Sequence, residues 1–310
     1  MNILIAGLVK GSQATRLIEE GTKLGHAVHG IFGSHLVSRF NGNFVDIEFR
    51  DHPLKPQDYD IVYLKLTGKT KFDWYLVARH LHDKFGLQVV PDKYVLDDYT
   101  VFYSPQADYL KQAEDASLKY PKSVIFKNAA SLKNAIKGFE FPLILKLSGG
   151  SFDRKGRGVK LVSSLGELKA LIKEHREDSE RFTLREFIPN NGDLRVFTVG
   201  YKAIGAMKRT PKEGDFRSNI SQGGDGEEFD LSTRPDIVQM AEKLSKITRT
   251  EVAGVDIMLH KETGEPYILE INPGPQFEGL EKYTKVNAAK EIIRYFESKV
   301  KGLGYLPESS

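Results

Sequence analysis

No cysteine occurs in the 310 residues. That excludes a disulfide framework and a thiolate-held metal, so any metal must sit on oxygen or histidine. Long apolar runs are missing as well. Nothing approaches the roughly 18 residues needed to cross a bilayer, and the opening MNILIAG has neither a basic region nor a cleavage site. No membrane association and a cytoplasmic location are the expectations. An excess of either charge is also absent, with 45 basic residues against 42 acidic and a net charge of +3. Basic residues crowd only in RKGRGVK (154–160) and KRTPKEGDFR (208–217), where glycines rather than aromatics stand among them. A nucleic-acid face would more often interleave aromatics or extend along one surface, so direct nucleic-acid binding is not expected. Nor does a G-x-G-x-x-G turn follow the first strand; G-L-V-K-G stands there instead, which argues against a dinucleotide site.

What is present reads as three lobes. NILIA (2–6) has the pattern of a buried parallel strand, followed by a helix from Gln13 to Leu24 and a second strand at 27–32. The theme repeats with strands near 60–66 and 87–91 around a helix at 73–85, which predicts an open, Rossmann-like α/β lobe over residues 1–91. From Asp92 the texture changes. A polar helical stretch (98–118), helices at 131–137 and 165–176, and strands at 123–127, 142–147 and 158–162 predict a small central lobe over 92–181. Its strands enclose the glycine-rich loop SGGSFDRKGRG. In the last lobe, 182–310, longer antiparallel strands lie at 182–188, 194–200, 202–208, 251–259 and 266–272, with helices at 234–247 and 285–300. The tail GYLPESS is expected to be loose.

The sharpest local signal is EVAGVDIMLHKETGEPYILEIN (251–272), two apolar strands flanking a glycine-containing turn. If the hairpin is symmetric about Thr263, Asp256 faces Glu270, with Cβ atoms about 5 Å apart. Asn272 then points from the same face as Glu270. Gly254 lies opposite Asn272 and leaves space, while Ile268 and Met258 give the face an apolar surround. Two bare carboxylates at that distance repel by roughly 3 kcal/mol at an effective dielectric constant near 20, so something must offset them. A hard divalent cation does so, and carboxylate and amide oxygens are the ligands magnesium takes beside nucleotide phosphates. The alternative is a pair of solvated surface carboxylates.

A second signal is Lys146, which closes an apolar strand just before Gly149, Gly150, Gly156 and Gly158. Glycines let backbone N–H groups approach phosphate oxygens, and a lysine beside them supplies a point charge; a flexible surface hairpin is the plainer reading. In Glu213-Gly-Asp-Phe-Arg-Ser-Asn219, Arg217 has the fork geometry to hold a transferring phosphoryl group, although a structural ion pair would look the same.

Taken in order, PLILKL, REFIPNNGDLRVFTVG, AMKRTPKEGDFRSNISQGG, VAGVDIML and LEINPGPQFEGLEK resemble the ATP-grasp superfamily, and within it the RimK-type glutamate ligases. The likeness runs from Pro142 to about Val300; the first lobe matches the family's N-terminal domain only in kind. It implies an ATP-grasp fold, a Rossmann-like lobe followed by two lobes that clasp ATP. It further implies that Lys146 contacts ATP phosphate, that Glu186 and Phe187 meet the adenine, and that Asp193 binds near the ribose. Arg217, Ser218 and Asn219 are implied to gather at the phosphates, with Arg217 stabilising charge at the γ-phosphoryl. Asp256, Glu270 and Asn272 are implied to hold two magnesium ions, with manganese able to substitute. Two features depart from the family. Asp92-Lys93 matches its early Asp-Lys, but the next matching proline, Pro121, comes too late, and at the family's spacing the lysine position falls on Pro105. The glycine loop is also longer than usual by SFDRK.

The implied activity is that of an ATP-dependent carboxylate–amine ligase working through an acyl phosphate. It would join glutamate or a similar small-molecule amino acid to a carboxylate acceptor: a peptide, a protein tail or a metabolite. Arg195 and Lys208 are candidates for holding the substrate carboxylate, or else plain ion-pair partners. The alternatives are an ATP-grasp kinase acting on a small-molecule hydroxyl, a ligase acting on a carrier protein or cofactor, and a nucleotide-binding module without catalysis. Self-association is compatible with all of them.

Overall fold

The first apolar run forms strand β1 (Asn2–Gly7), with Ile3 to Gly7 all buried. A strand covered on both faces needs a layer on either side, and the chain supplies them. In the computed structural model, which describes residues 1–7, 11–31, 36–40, 45–50, 55–65, 71–96, 105–148, 158–177, 179, 181–211 and 225–308, β1 is joined by β2 (Ala27–Ile31). A hairpin of β3 (Leu36–Phe40) and β4 (Val45–Phe49) follows, then β5 (Ile61–Lys65) and β6 (Gln88–Val90). The main sheet is parallel in the order β2-β1-β5-β6, with helices Ser12–Lys23 and Lys71–Phe85 in its crossovers. The β3–β4 hairpin was not expected from the sequence. It brings Ile47 and Phe49 into a core with Tyr59 and Trp74.

The second sheet comprises β7 (Ser123–Phe126), β8 (Leu143–Ser148), β9 (Val159–Val162) and β10 (Arg181–Glu186), antiparallel in the order β7-β10-β8-β9. Along β8 the side chains alternate. Leu143, Leu145 and Leu147 enter a core with Leu168 and Ile172 of helix Leu165–Glu174, whereas Lys146 faces the other way. Of the expected helix at 98–118, the described part is Pro105–Asp115, preceded by a short helix Lys93–Leu96.

The third sheet contains β11 (Asp193–Val199), β12 (Lys202–Thr210), β13 (Asp225–Glu228), β14 (Val252–Leu259) and β15 (Pro266–Pro273), in the order β13-β12-β11-β14-β15. One face, with Leu194, Val196, Val255 and Ile257, packs on helix Pro235–Ile247. The other, with Phe197, Val199 and Val252, packs on helix Ala288–Val300 and on Ile3, Ile5, Ile61 and Tyr63 of the parallel sheet. First and third sheets therefore share one core.

At the same junction Lys299 reaches Asp92 at 2.6 Å and Glu251 at 2.9 Å, and Glu251 also accepts the Asp92 N–H at 2.8 Å. Lys93, beside it, is buried, and its N–H donates to the Arg249 carbonyl at 3.3 Å. The tail differs from expectation. Tyr305 donates to Glu291 at 2.5 Å and packs edge-on against Tyr295, while Glu308 accepts from Lys290 at 2.8 Å, so the tail is docked as far as Glu308.

Burial pushes the Glu251 carboxyl up to about 7, against the pull of Lys299. The folded state then keeps a proton that the unfolded chain releases at lower pH. This group's contribution to stability is accordingly full in acid and declines as pH rises toward 7. Glu251→Gln removes that dependence. Urea denaturation should show the variant losing less stability than the parent between about pH 5 and 7; equal slopes would dismiss the assignment.

Candidate active site

The site is written across one end of the third sheet. β14 and β15 pair with Asp256 facing Glu270 and Gly254 facing Asn272, the expected register. Beyond Asp256 the pairing slips by one residue, so that Ile257 faces Ile268. Ile268 therefore lies in the core under helix Pro235–Ile247, not beside the carboxylates as the symmetric hairpin predicts. A bulge of this kind re-aims the strand locally. Nor is the space over Gly254 open: a Cβ there would meet Pro275 at 3.0 Å and the Arg195 side chain at 3.4 Å.

Asp256 is 6% exposed and is met by positive charge. Arg195, directly across on β11, donates Nε to Oδ1 and Nη2 to Oδ2, both at 2.7 Å. Arg209 on β12 lies 3.1 Å from Oδ2, and the Asn272 amide donates to Oδ2 at 3.5 Å. Arg209 is shared: it also grips Asp193 at 2.6 and 2.7 Å, the two being cross-strand partners. Burial pushes Asp256 up, but Arg195 and Arg209 together outweigh it and hold the carboxyl below its ordinary value. For Asp193 burial prevails over Arg209, with Asp256 adding to it, and the carboxyl is raised. The repulsion inferred from the sequence is thus offset within the chain by two guanidiniums.

Glu270 is more open, its side chain 38% exposed, and Lys146 of the second sheet approaches it at 3.7 Å. One cation of the second sheet thereby meets the carboxylates of the third. Nearby, Arg185 on β10 donates Nη1 to the carbonyl of Leu269 at 3.0 Å. The next residue, Glu186, accepts the Lys122 N–H at 2.8 Å, and Phe187 is half-buried. Lys208 is not brought to Arg195. It pairs with Leu194, which points into the opposite face of the sheet, and it binds Glu227 at 2.9 Å. Lys93 belongs to the junction with the C-terminal helix. The glycine loop and Arg217, Ser218 and Asn219 lie outside the described residues.

Sequence reasoning missed Arg209, Arg185 and Lys65. Counting outward from the tight β11–β12 turn, where Val199 faces Lys202, would set Lys208 opposite Asp193; a register shift between Phe197 and Thr198 brings Arg209 there instead. Choosing its neighbour Lys208 moved the candidate to the wrong face.

Among the described residues no cluster of three or more aspartate, glutamate, histidine or cysteine side chains converges. The oxygen set is two carboxylates and an amide. Its chemistry fits a hard divalent cation. Asp256 Oδ1 accepts a single hydrogen bond and keeps a lone pair, Glu270 is half exposed, and the Asn272 amide donates through nitrogen, which leaves its oxygen available.

A family model described as RimK-like ATP-grasp domain matches residues 107–296. The chain is similar to a probable alpha-L-glutamate ligase of Legionella pneumophila (strain Corby), 37% identical over 162 residues, which is 52% of this chain and 51% of that protein. The matched region thus spans about half the length of that relative. A probable alpha-L-glutamate ligase of Marinomonas sp. (strain MWYL1) is 28% identical over 306 residues, covering 93% of this chain and 95% of that protein. Among solved structures, the ATP-grasp ligase PsnB complexed with minimal precursor, Mg and ADP superposes with a TM-score of 0.69. It does so over 96% of this chain and 98% of that one, at 14% identity, a likeness of fold.

Removing Arg209 leaves Asp193 buried without its partner. Breaking such a pair costs about 3–5 kcal/mol, so Arg209→Met should lower the unfolding free energy by about that amount in urea denaturation near pH 7. The deficit should narrow in acid, where Asp193 takes up a proton. A pH-independent deficit would mean that Asp193 is not the group left exposed to the loss.

Proposed function

The chain belongs to the RimK-like ATP-grasp family, and from that premise we propose that it is an ATP-dependent ligase joining a carboxylate to the amine of glutamate or a similar amino acid. The observation that carries this reading is the meeting of Lys146 with Glu270 at 3.7 Å, beside Asp256 and Asn272. It sets a phosphate-binding cation of one sheet against a cation-binding oxygen set of the other. In this reading the chain divides at 1–91, 92–181 and 182–310, and ATP lies between the last two lobes. The acceptor carboxylate belongs to a peptide, a protein tail or a metabolite, in keeping with the precursor held by the solved neighbour.

Asp256, Glu270 and Asn272 would hold two magnesium ions. When bound, the ions draw charge from the phosphate oxygens and so ease transfer of the γ-phosphoryl group. The acceptor carboxylate attacks the γ-phosphorus, the bond to ADP breaks, and an acyl phosphate forms. The amine then adds to the acyl carbon, phosphate leaves, and the amine gives up a proton. Positioning and charge stabilisation account for such a reaction without a protein nucleophile. Lys146 would neutralise phosphate charge, while Glu186 and Phe187 would line the adenine end. Asp193, tied to Arg209, would stand near the ribose. Arg217, Ser218 and Asn219, outside the described residues, would act at the phosphates on the strength of the resemblance alone. Arg195, already bidentate on Asp256, orients that carboxylate and presents its outer edge to the substrate carboxylate.

An acyl phosphate can be intercepted by a small strong nucleophile, whereas the phosphate ester made by a kinase cannot. With Mg·ATP, a panel of peptide and small carboxylates, and hydroxylamine in place of the amine, the protein should yield a hydroxamate, ADP and free phosphate. Glu270→Gln should abolish the product and lose the Mg·ATP-dependent stabilisation, about 2.7 kcal/mol at a hundredfold excess over Kd. ADP matched one-for-one by a stable phosphorylated product, without free phosphate, would instead establish a kinase.

A further inference from the structure

Two buried cations from different parts of the chain converge on the backbone around Glu270 and Asn272. Lys65, 2% exposed at the end of β5, donates to the carbonyl of Gly274 at 3.0 Å and of Pro275 at 2.7 Å. Its ammonium also sits 5.4 Å from the Phe277 ring centroid. Gly274 has φ +60°, the left-handed conformation that favours glycine, and a Cβ on it would make only ordinary contact with the Lys65 Cα at 3.5 Å and the Tyr63 hydroxyl at 3.4 Å. Arg185, 5% exposed, donates to the carbonyl of Leu269, the residue at the bulge that turns Glu270 toward Asp256. Neither cation touches a carboxylate of the site in these bonds. Lys65 bonds two main-chain oxygens beyond Asn272, and Arg185 bonds one just before Glu270 besides the Ser123 hydroxyl.

Burying an ammonium and a guanidinium is costly, and an apolar side chain of similar volume would fill either place without that cost. Core packing therefore does not account for them, whereas fixing a backbone does. A β-bulge leaves an extra residue unpaired and the strand free to bend; a cation on the bulge carbonyl restores a single conformation. The turn after β15 has the same need, since Pro273 and Pro275 have no N–H with which to pair. Burial lowers the Lys65 ammonium to about 7, against the opposing pull of Glu278.

We propose that Lys65 and Arg185 are positioning residues that hold the segment Leu269–Pro275 at both ends, so that Glu270 and Asn272 present their oxygens with Asp256 to a divalent cation. The inference rests on the ligase reading only in taking those three residues as cation ligands. It assigns to the first and second sheets one job each: anchoring a strand of the third.

The test is direct binding of Mn2+ in the presence of a non-hydrolysable ATP analogue, followed by electron paramagnetic resonance well below the unfolding temperature. Lys65→Met and Arg185→Met should each weaken Mn2+ binding about tenfold or more, the usual effect of losing a group that orients a ligand. Arg185→Lys, which keeps one donor, should regain part of the loss. Ser123→Ala removes another partner of Arg185, bonded at 3.2 Å, and should leave Mn2+ binding as in the parent. Unchanged Mn2+ isotherms in both methionine variants would overturn the proposal, whatever their thermal stability, because they would make the cations structural only. A parent that binds no Mn2+ would instead remove the cation site itself, and the ligase reading with it.

Discussion

Everything at this site follows from the need to keep Asp256 ionised inside the protein. Its carboxylate is almost wholly buried, faces a second carboxylate across the hairpin, and has a third, Asp193, diagonally across the sheet. Among the described residues three cations answer three anions: Arg195 and Arg209 on Asp256 and Asp193, Lys146 toward Glu270. The arrangement needs a sheet with strands in the order β12-β11-β14-β15, because only adjacent strands bring such short side chains together. It also needs a second sheet close enough to deliver Lys146. The electrostatics of one aspartate thus ties sheet order and lobe contact together.

The chemistry proposed here uses that balance. A cluster neutral on its own stays folded and satisfied without ligand. It also keeps a partly exposed carboxylate at Glu270 and an amide oxygen at Asn272 for a ligand. Arg195 takes both oxygens of Asp256, and Arg209 and Asn272 add to Oδ2, which leaves one edge of Oδ1 for a ligand. The backbone anchors at Lys65 and Arg185 keep this edge, and not merely the charge, in register.

How much of this could be read beforehand depends on whether a feature is local. Counting outward from Thr263 named the opposition of Asp256 and Glu270, although the strands next to the turn pair one residue off that count (Leu259 with Pro266) and the bulge restores it at Asp256. The bulge beyond Asp256 was not legible, because it is set by what Ile268 packs against under helix Pro235–Ile247. Arg209 was one residue away from the candidate chosen, and in a strand one residue is the other face. The β3–β4 hairpin escaped notice because its apolar residues find their partners, Tyr59 and Trp74, on distant elements. Lys65 and Arg185 act on main-chain carbonyls far along the chain, and no spacing rule reports such a contact. The tail looked loose by composition. What holds it is Tyr305 over Gly200 and Tyr295, a glycine contact invisible until the helix and sheet are in place.

The core between the first and third sheets has a consequence for how the protein is made. Ile3 and Tyr63 share their apolar layer with Ile292 and Phe296, and the Tyr63 and Phe296 rings lie 5.4 Å apart. On a ribosome that emits the chain from its N-terminus, the parallel sheet is complete long before helix Ala288–Val300 arrives to cover it. Until then that side of β1 and β5 is covered only in part, by Leu17 of helix Ser12–Lys23, through the synthesis of both later sheets. Domains usually fold in the order in which they emerge; here the first to emerge is among the last to close. Helix Ala288–Val300 is the piece that closes this core, so the order of synthesis and the order of packing run opposite ways at this face.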